Sequence, residues 1–259
     1  SSDLSNGQFV TALPLTAGAV VLNGPVTLTH DSTVSTVNGP VSFTNTINSA
    51  DSTARALVIN SGSGSTTLSN KLGYTNTLST LSLTGGAISA ANTIKLTGGL
   101  TVTNSGSSHL MGAVTGTTFT KSGSGTLTLD VANTFSSGET ITAGTLAIAH
   151  SNALTASKTL TISGGTLDLN GVNTATLGAI TMTAGTIEDG THASTVITAS
   201  GYSFNNDDTH PITVSVVMAG SGSALTTTSN GTSTLSAANT YTGVTTIGAG
   251  STIALSGSG

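Results

Sequence analysis

Ten acidic and five basic side chains are all the formal charge that this 259-residue sequence carries, so clustered acids are the first place to look for chemistry. Asp130 with Glu139, Asp168 with Glu188 and Asp189, and Asp207 with Asp208 are the candidate groups. Paired carboxylates could serve glycosidic bond cleavage, one as acid and the other as base or nucleophile. Asp168 and Glu188 are 20 positions apart, which places them side by side if the chain returns on itself at that interval. The most polar stretch is NNDDTHP at 205–211, and it reads as a projecting loop. Its Asn205, Asp207 and Asp208 are oxygen donors of the type that hold Ca²⁺. The regularly spaced acids and the closing Glu of a calcium loop are missing, and the alternative for these residues is a solvated turn. His30, His109, His150, His192 and His210 show no metal-ligand spacing. No G-x-S-x-G elbow is present. The Ser/Gly runs at 62–65 and 122–125 lack the Gly-Lys-Ser/Thr of a phosphate loop. With aromatics at 3% and no Trp, no sugar-stacking platform accompanies the acids. These residues predict no catalytic centre and no cofactor.

Composition narrows the field further. Charged residues are 6% of the chain, against about 25% in an ordinary soluble domain. Arg55, Lys71, Lys95, Lys121 and Lys158 are too few and too scattered to track a phosphate backbone, so a nucleic-acid partner is not expected. No apolar run approaches the ~18 residues of a membrane helix, and membrane insertion is not expected. Without cysteine there are no disulfides and no thiolate metal sites. The polar opening SSDLSNG suits either a mature N-terminus after cleavage or a cut from a longer protein. Thr alone is about a fifth of the residues, and with Val, Ile and Leu it favours a pleated, half-buried backbone.

The elements that must position these side chains follow from a repeat. Gly-Thr followed by an aliphatic residue recurs at Gly125, Gly144, Gly165 and Gly185, with spacings of 19, 21 and 20. Asn-Thr recurs at Asn92, Asn133, Asn173 and Asn239, with spacings of 41, 40 and 66, near two, two and three periods. Between these markers GTLTLD, TLTIS, GTLDLN, AITMT, TIKLT and GLTVT alternate aliphatic and polar residues, the period of a strand with one wet face. Short strands at a fixed period near 20 predict an all-β, right-handed parallel β-helix, or β-solenoid, of about 13 coils. Stacked like charges would repel, which accounts for their scarcity, whereas Thr ladders pack and hydrogen-bond. The four Gly and four Asn markers are expected at structural corners, with each Asn either bonding backbone amides inside the corner or facing solvent.

Residues 1–80 are expected to form a β-rich N-terminal segment with irregular coils, and 81–259 the regular solenoid. In the former, LNGPVTLTH and VNGPVSFTN repeat at only 15 positions (Asn23 to Asn38), which suggests shorter coils or a changed cross-section.

Two stretches carry a resemblance. GSGTLTLDVANTFSSGETITAGTLAI at 123–148 and NGTSTLSAANTYTGVTTIGAGSTIAL at 230–255 resemble the autotransporter-associated β-strand repeat. The second has Ser233 where the motif has an aliphatic residue and one extra residue near Ser251. The resemblance implies a passenger region that is secreted or on the bacterial cell surface: an adhesin, fibre or stalk. The sequence ends in mid-phrase, and solenoid ends without polar caps expose strand edges. Head-to-tail stacking of copies is therefore expected, as well as contact with cell or matrix surfaces. The function expected is a non-enzymatic structural or adhesive rod. The alternatives are a carbohydrate-active β-helix enzyme using Asp168 and Glu188, and an ice-binding solenoid using T-x-T pairs at 27–29, 101–103, 126–128 and 159–161.

Overall fold

The computed structural model describes residues 2–4, 9–11, 15–190 and 195–256. They form strands and turns with no helix. The chain divides into two compact units, Ser1–Phe135 and Ser136–Gly259, and within each one every described strand pairing is parallel.

In the first unit one sheet runs through Ser2–Leu4, Val20–Leu22, Val41–Phe43, Thr66–Leu68, Ile88–Ala90, Ser108–Leu110 and Thr126–Leu129. A second runs through Leu15–Ala17, Ser32–Thr36, Arg55–Asn60, Leu78–Gly85, Leu100–Asn104 and Val114–Ser122. Phe9–Thr11, Val26–Leu28 and Ile47–Ser49 make a third face, which single bridges from Ile47 to Leu72 and Leu72 to Ile94 carry onward. Alternation buries every second residue, so in-register partners build columns. Leu22, Phe43, Leu68, Ala90, Leu110 and Leu129 form one column, each no more than 1% exposed. Each full-sized aliphatic side chain so buried contributes ~1.5–3 kcal/mol.

The second unit repeats the plan. Thr145–Ile148, Thr166–Asp168, Gly185–Glu188, Ile212–Val214, Thr232–Leu235 and Thr252–Leu255 form one sheet. Leu160–Ile162, Ala179–Met182, Gly201–Phe204, Leu225–Thr227 and Thr245–Ile247 follow Thr134–Ile141 in another. Thr174–Thr176, Val196–Thr198 and Val217–Ala219 form a third face. Leu146, Leu167, Ile187, Val214 and Leu235 are one buried column, which Leu255 continues at 64% exposure.

The fold is the parallel β-solenoid expected from the period, with two differences in detail. Its turns average about 21 residues rather than 20, while the strands of the first-named sheet, seven in the first unit and six in the second, match the number of turns expected. Some turns are long because polar loops leave the ladder between strands: Phe43 to Leu68 takes 25 positions, and Ile187 to Val214 takes 27. The 15-residue repeat near the start is also not a short coil. Val26–Leu28 and Val41–Phe43 stand in different sheets, and the true step there is the 21 positions from Val20 to Val41.

Candidate functional site

Glycine marks a corner where successive turns press backbone on backbone. Gly144, Gly165 and Gly185 each precede an in-register Thr, in the order Thr145, Thr166, Thr186. Thr166 N donates to Gly144 O at 2.8 Å and Thr186 N to Gly165 O at 2.9 Å. Gly185 has φ of 98°, and a Cβ there would overlap the Gly165 carbonyl oxygen, so a side chain is refused on both counts. In the first unit Gly125 sits at the equivalent place, its N donating to Asn104 O at 2.9 Å and its backbone against Gly106.

The four marker asparagines differ. Asn133 is 7% exposed; its Oδ1 accepts Val114 N at 2.8 Å, 19 positions back, and its Nδ2 donates to Val131 O at 3.0 Å. Asn239 is half-buried, and its Oδ1 accepts Met218 N at 2.8 Å, 21 positions back. Asn92 donates from Nδ2 to Ser69 O at 3.0 Å. Asn173 is exposed and joins the ladder by its backbone, accepting from Val196 N at 3.0 Å.

The acids are turn-binding groups. Asp168 and Glu188 are register partners on successive turns. Asp168 Oδ1 accepts Asn170 N at 2.8 Å and Gly190 N at 3.2 Å, and Asp189 accepts Gly171 N. These donors offset the repulsion of stacked carboxylates. Asp130 meets the His109 ring at 3.3 Å. Glu139 is 2% exposed at an inward position in register with Leu160. Burial raises its pKa, against the opposing pull of the Thr155 amide on Oε1 and the charge of Lys158. In the 205–211 loop Asp207 is held near pKa 2, first by the Thr209 hydroxyl and then by His210, whose Nδ1 is 2.7 Å away. Asn205 Oδ1 bonds Thr228 and Ser203, and Asp208 is exposed. Among the described residues no three His, Asp or Glu side chains gather as a metal site. His30 bonds Thr29, His150 accepts Asn152 N, and His192 lies outside the described residues.

Three buried polar groups carry no periodic marker and were not singled out as structural groups in the sequence. Lys121 is 0% exposed in the column of Ile59, Leu83 and Val102, with Nζ donating to Ser122 O at 2.7 Å and Gly123 O at 2.9 Å. Burial pulls its pKa down to about 8. Asn104 donates to Gly106 O and Thr126 O at 2.6 and 2.8 Å, and Asn206 donates to Thr232 O at 2.8 Å. The T-x-T pairs fall on different sheets: Thr27 is on the third face, Thr101 and Thr103 on the second, Thr126 and Thr128 on the first. The T-x-T pairs themselves are not gathered on one face, although single Thr columns do stack from turn to turn, as Thr145, Thr166, Thr186, Thr213 and Thr234 do.

Two segments, 119–148 and 225–255, match the family model of the passenger-associated-transport-repeat. They are about a quarter of the chain, and each holds one of the two asparagines that accept an amide from the preceding turn. Two residues after each Asn stands an aromatic. Phe135 stacks on Phe119 at 5.3 Å between centroids, and Tyr241 meets Tyr202 at 6.0 Å. The matched motif is therefore a corner device, an amide acceptor plus an aromatic contact. The match is consistent with autotransporter passenger-type repeats. No curated protein and no solved structure matches the chain.

Proposed function

We propose that this chain is a non-enzymatic structural or adhesive scaffold of a bacterial surface, displayed as part of an autotransporter-type passenger. The observation that carries the reading is the pair of passenger-type repeats set into turns of a parallel, dry-cored solenoid. Such repeats imply secretion to the bacterial surface. The marker Asn and Gly residues serve as structural corners in this reading, keeping successive turns in register where the strand ladder breaks.

Copies of the chain stack head to tail. The last described turn leaves Ile247 and Leu255, which continue the columns of Thr227 and Leu235, 54% and 64% exposed, an apolar face that either a further turn or a second copy covers. A groove of about 500 Å³ lined by Leu235, Tyr241, Ile247, Ile253 and Leu255 runs along it. A parallel strand added there would continue the internal ladder, and a contact between unlike faces propagates without closing. Negative-stain microscopy of the purified chain over a concentration series tests this. Filaments that lengthen with concentration are expected; particles of single-copy size at every concentration would refute stacking. Antibody labelling of intact cells tests the surface role separately.

A further inference from the structure

Five basic side chains serve this acidic protein, and three are accounted for. Arg55 meets Asp51 at 3.7 Å, Lys121 is buried against carbonyls, and Lys158 faces Glu139. Lys71 and Lys95 have no carboxylate in ion-pair distance among the described residues. Their ammonium groups converge on one ring instead, 3.9 and 4.6 Å from the centroid of Tyr74. Both distances end at one point, so the two charges are at most 8.5 Å apart.

The fold holds this arrangement in place. Lys71 O accepts Ile47 N at 3.2 Å, and Lys95 N donates to Leu72 O at 2.9 Å, so the two lysines flank the bridged column of Ile47, Leu72 and Ile94. Tyr74 rides a loop tied down by Gly73 N to Ile47 O at 2.7 Å, Thr75 N to Asn48 Oδ1 at 3.0 Å and Asn76 Nδ2 to Ser49 O at 3.1 Å. The ring is nevertheless 51% exposed. A π face attracts cations but does not neutralise them. Two like charges set on one fixed, open ring, with no carboxylate in ion-pair distance among the described residues, form a receptor for an anion rather than a stabilising ion pair.

We propose that Lys71, Tyr74 and Lys95 bind an acidic polysaccharide, with its carboxylate or sulfate between the two ammonium groups and a sugar ring against the tyrosine edge or face. Two cations are too few to follow a nucleic-acid backbone, whereas one anionic group per sugar matches them. This deepens the adhesive part of the proposed function and rests on it. The site is independent of head-to-tail stacking.

The test measures binding of the full chain to immobilised polygalacturonate, dextran sulfate and plain dextran, with duplex DNA as a fourth surface, at low salt. Retention on a charged glycan is expected, with none on plain dextran and weaker retention on DNA; the two charged polymers distinguish carboxylate from sulfate. Lys71→Gln with Lys95→Gln should abolish retention, Tyr74→Ala should lower affinity about tenfold, and Lys71→Arg with Lys95→Arg should preserve it, which guards against a folding defect in the Gln variant. No retention on either acidic polymer, unchanged retention by a folded Gln variant, or equal retention on DNA would overturn the assignment. Surface labelling of cells is unaffected by that result, so a failed site and a failed surface role give different outcomes.

Discussion

Replacing Asn133 by Ala would strand the Val114 amide. Val114 is 0% exposed, and its N–H is satisfied by Asn133 Oδ1 at 2.8 Å, so water cannot take the vacated place without opening the corner. A buried donor left unpaired costs about 1–3 kcal/mol. The bond from Nδ2 to Val131 O, 3.0 Å long, is lost too. Freed Asn rotamers return part of that cost, and the net expectation is about 2 kcal/mol. Solenoids open turn by turn, so the loss is best read locally. Native-state hydrogen exchange at Val114 should speed up about 30-fold, the equivalent of that energy at ~1.4 kcal/mol per decade. Asn173→Ala is the matched control, because that side chain is exposed and its ladder bond is a backbone one. It should change stability by less than about 0.5 kcal/mol. Equal protection in wild type and Asn133→Ala, or equal losses at 133 and 173, would refute the claim that this asparagine holds adjacent turns together.

Leu167→Ala removes the middle of the Leu146, Leu167 and Ile187 column, where Leu167 is 0% exposed; it should cost about 2–5 kcal/mol in urea denaturation, against little for the outward-facing Thr166→Ala. Lys121, with its pKa pulled from 10.5 to about 8, sheds a proton in the fold that the unfolded chain keeps, so stability should rise with pH from about 8 upward. Above pH 10 Tyr202, pushed up to about 12 by burial, works in the opposite direction, so the urea midpoint should be followed between pH 7.5 and 10; Lys121→Met should flatten that rise. Glu188→Gln relieves the stacked pair with Asp168 and should stabilise by about 0.5 kcal/mol, more at low salt than at high salt in thermal melts.

The solenoid was legible in the sequence because its markers sit at places the backbone itself dictates. Gly165 and Gly185 recur because the preceding turn's carbonyl occupies the space of a side chain, and Gly144 starts the series with a φ of 66° that favours glycine. The Asn of the Asn-Thr marker was legible as a corner residue in position, but not in its degree of burial: Asn133 and Asn173 share that marker, yet one is enclosed and the other exposed. The first hundred residues were harder to read because NGP occurs at two corners of the same coil, and a spacing within a turn looks like a period between turns. Lys121 and Glu139 stand at inward positions where the alternation calls for an aliphatic, and only the carbonyls and amides around them explain their tolerance there. Lys71, Tyr74 and Lys95 could not be grouped in advance. The loop between Gly73 and Thr77 shifts the spacing, so the two lysines meet across a turn at 24 positions with no repeated phrase to announce it.

The central claim is that segments about 20 positions apart lie in parallel register, and the absence of native cysteine allows a clean measurement of it. Thr161 and Thr181 are register partners on successive turns, whereas Thr213 stands in another sheet. Thr161→Cys with Thr181→Cys should be joined rapidly within one molecule by a short thiol crosslinker, and Thr161→Cys with Thr213→Cys should not. Rapid joining of the second pair with none of the first would contradict the stacked register on which the account stands.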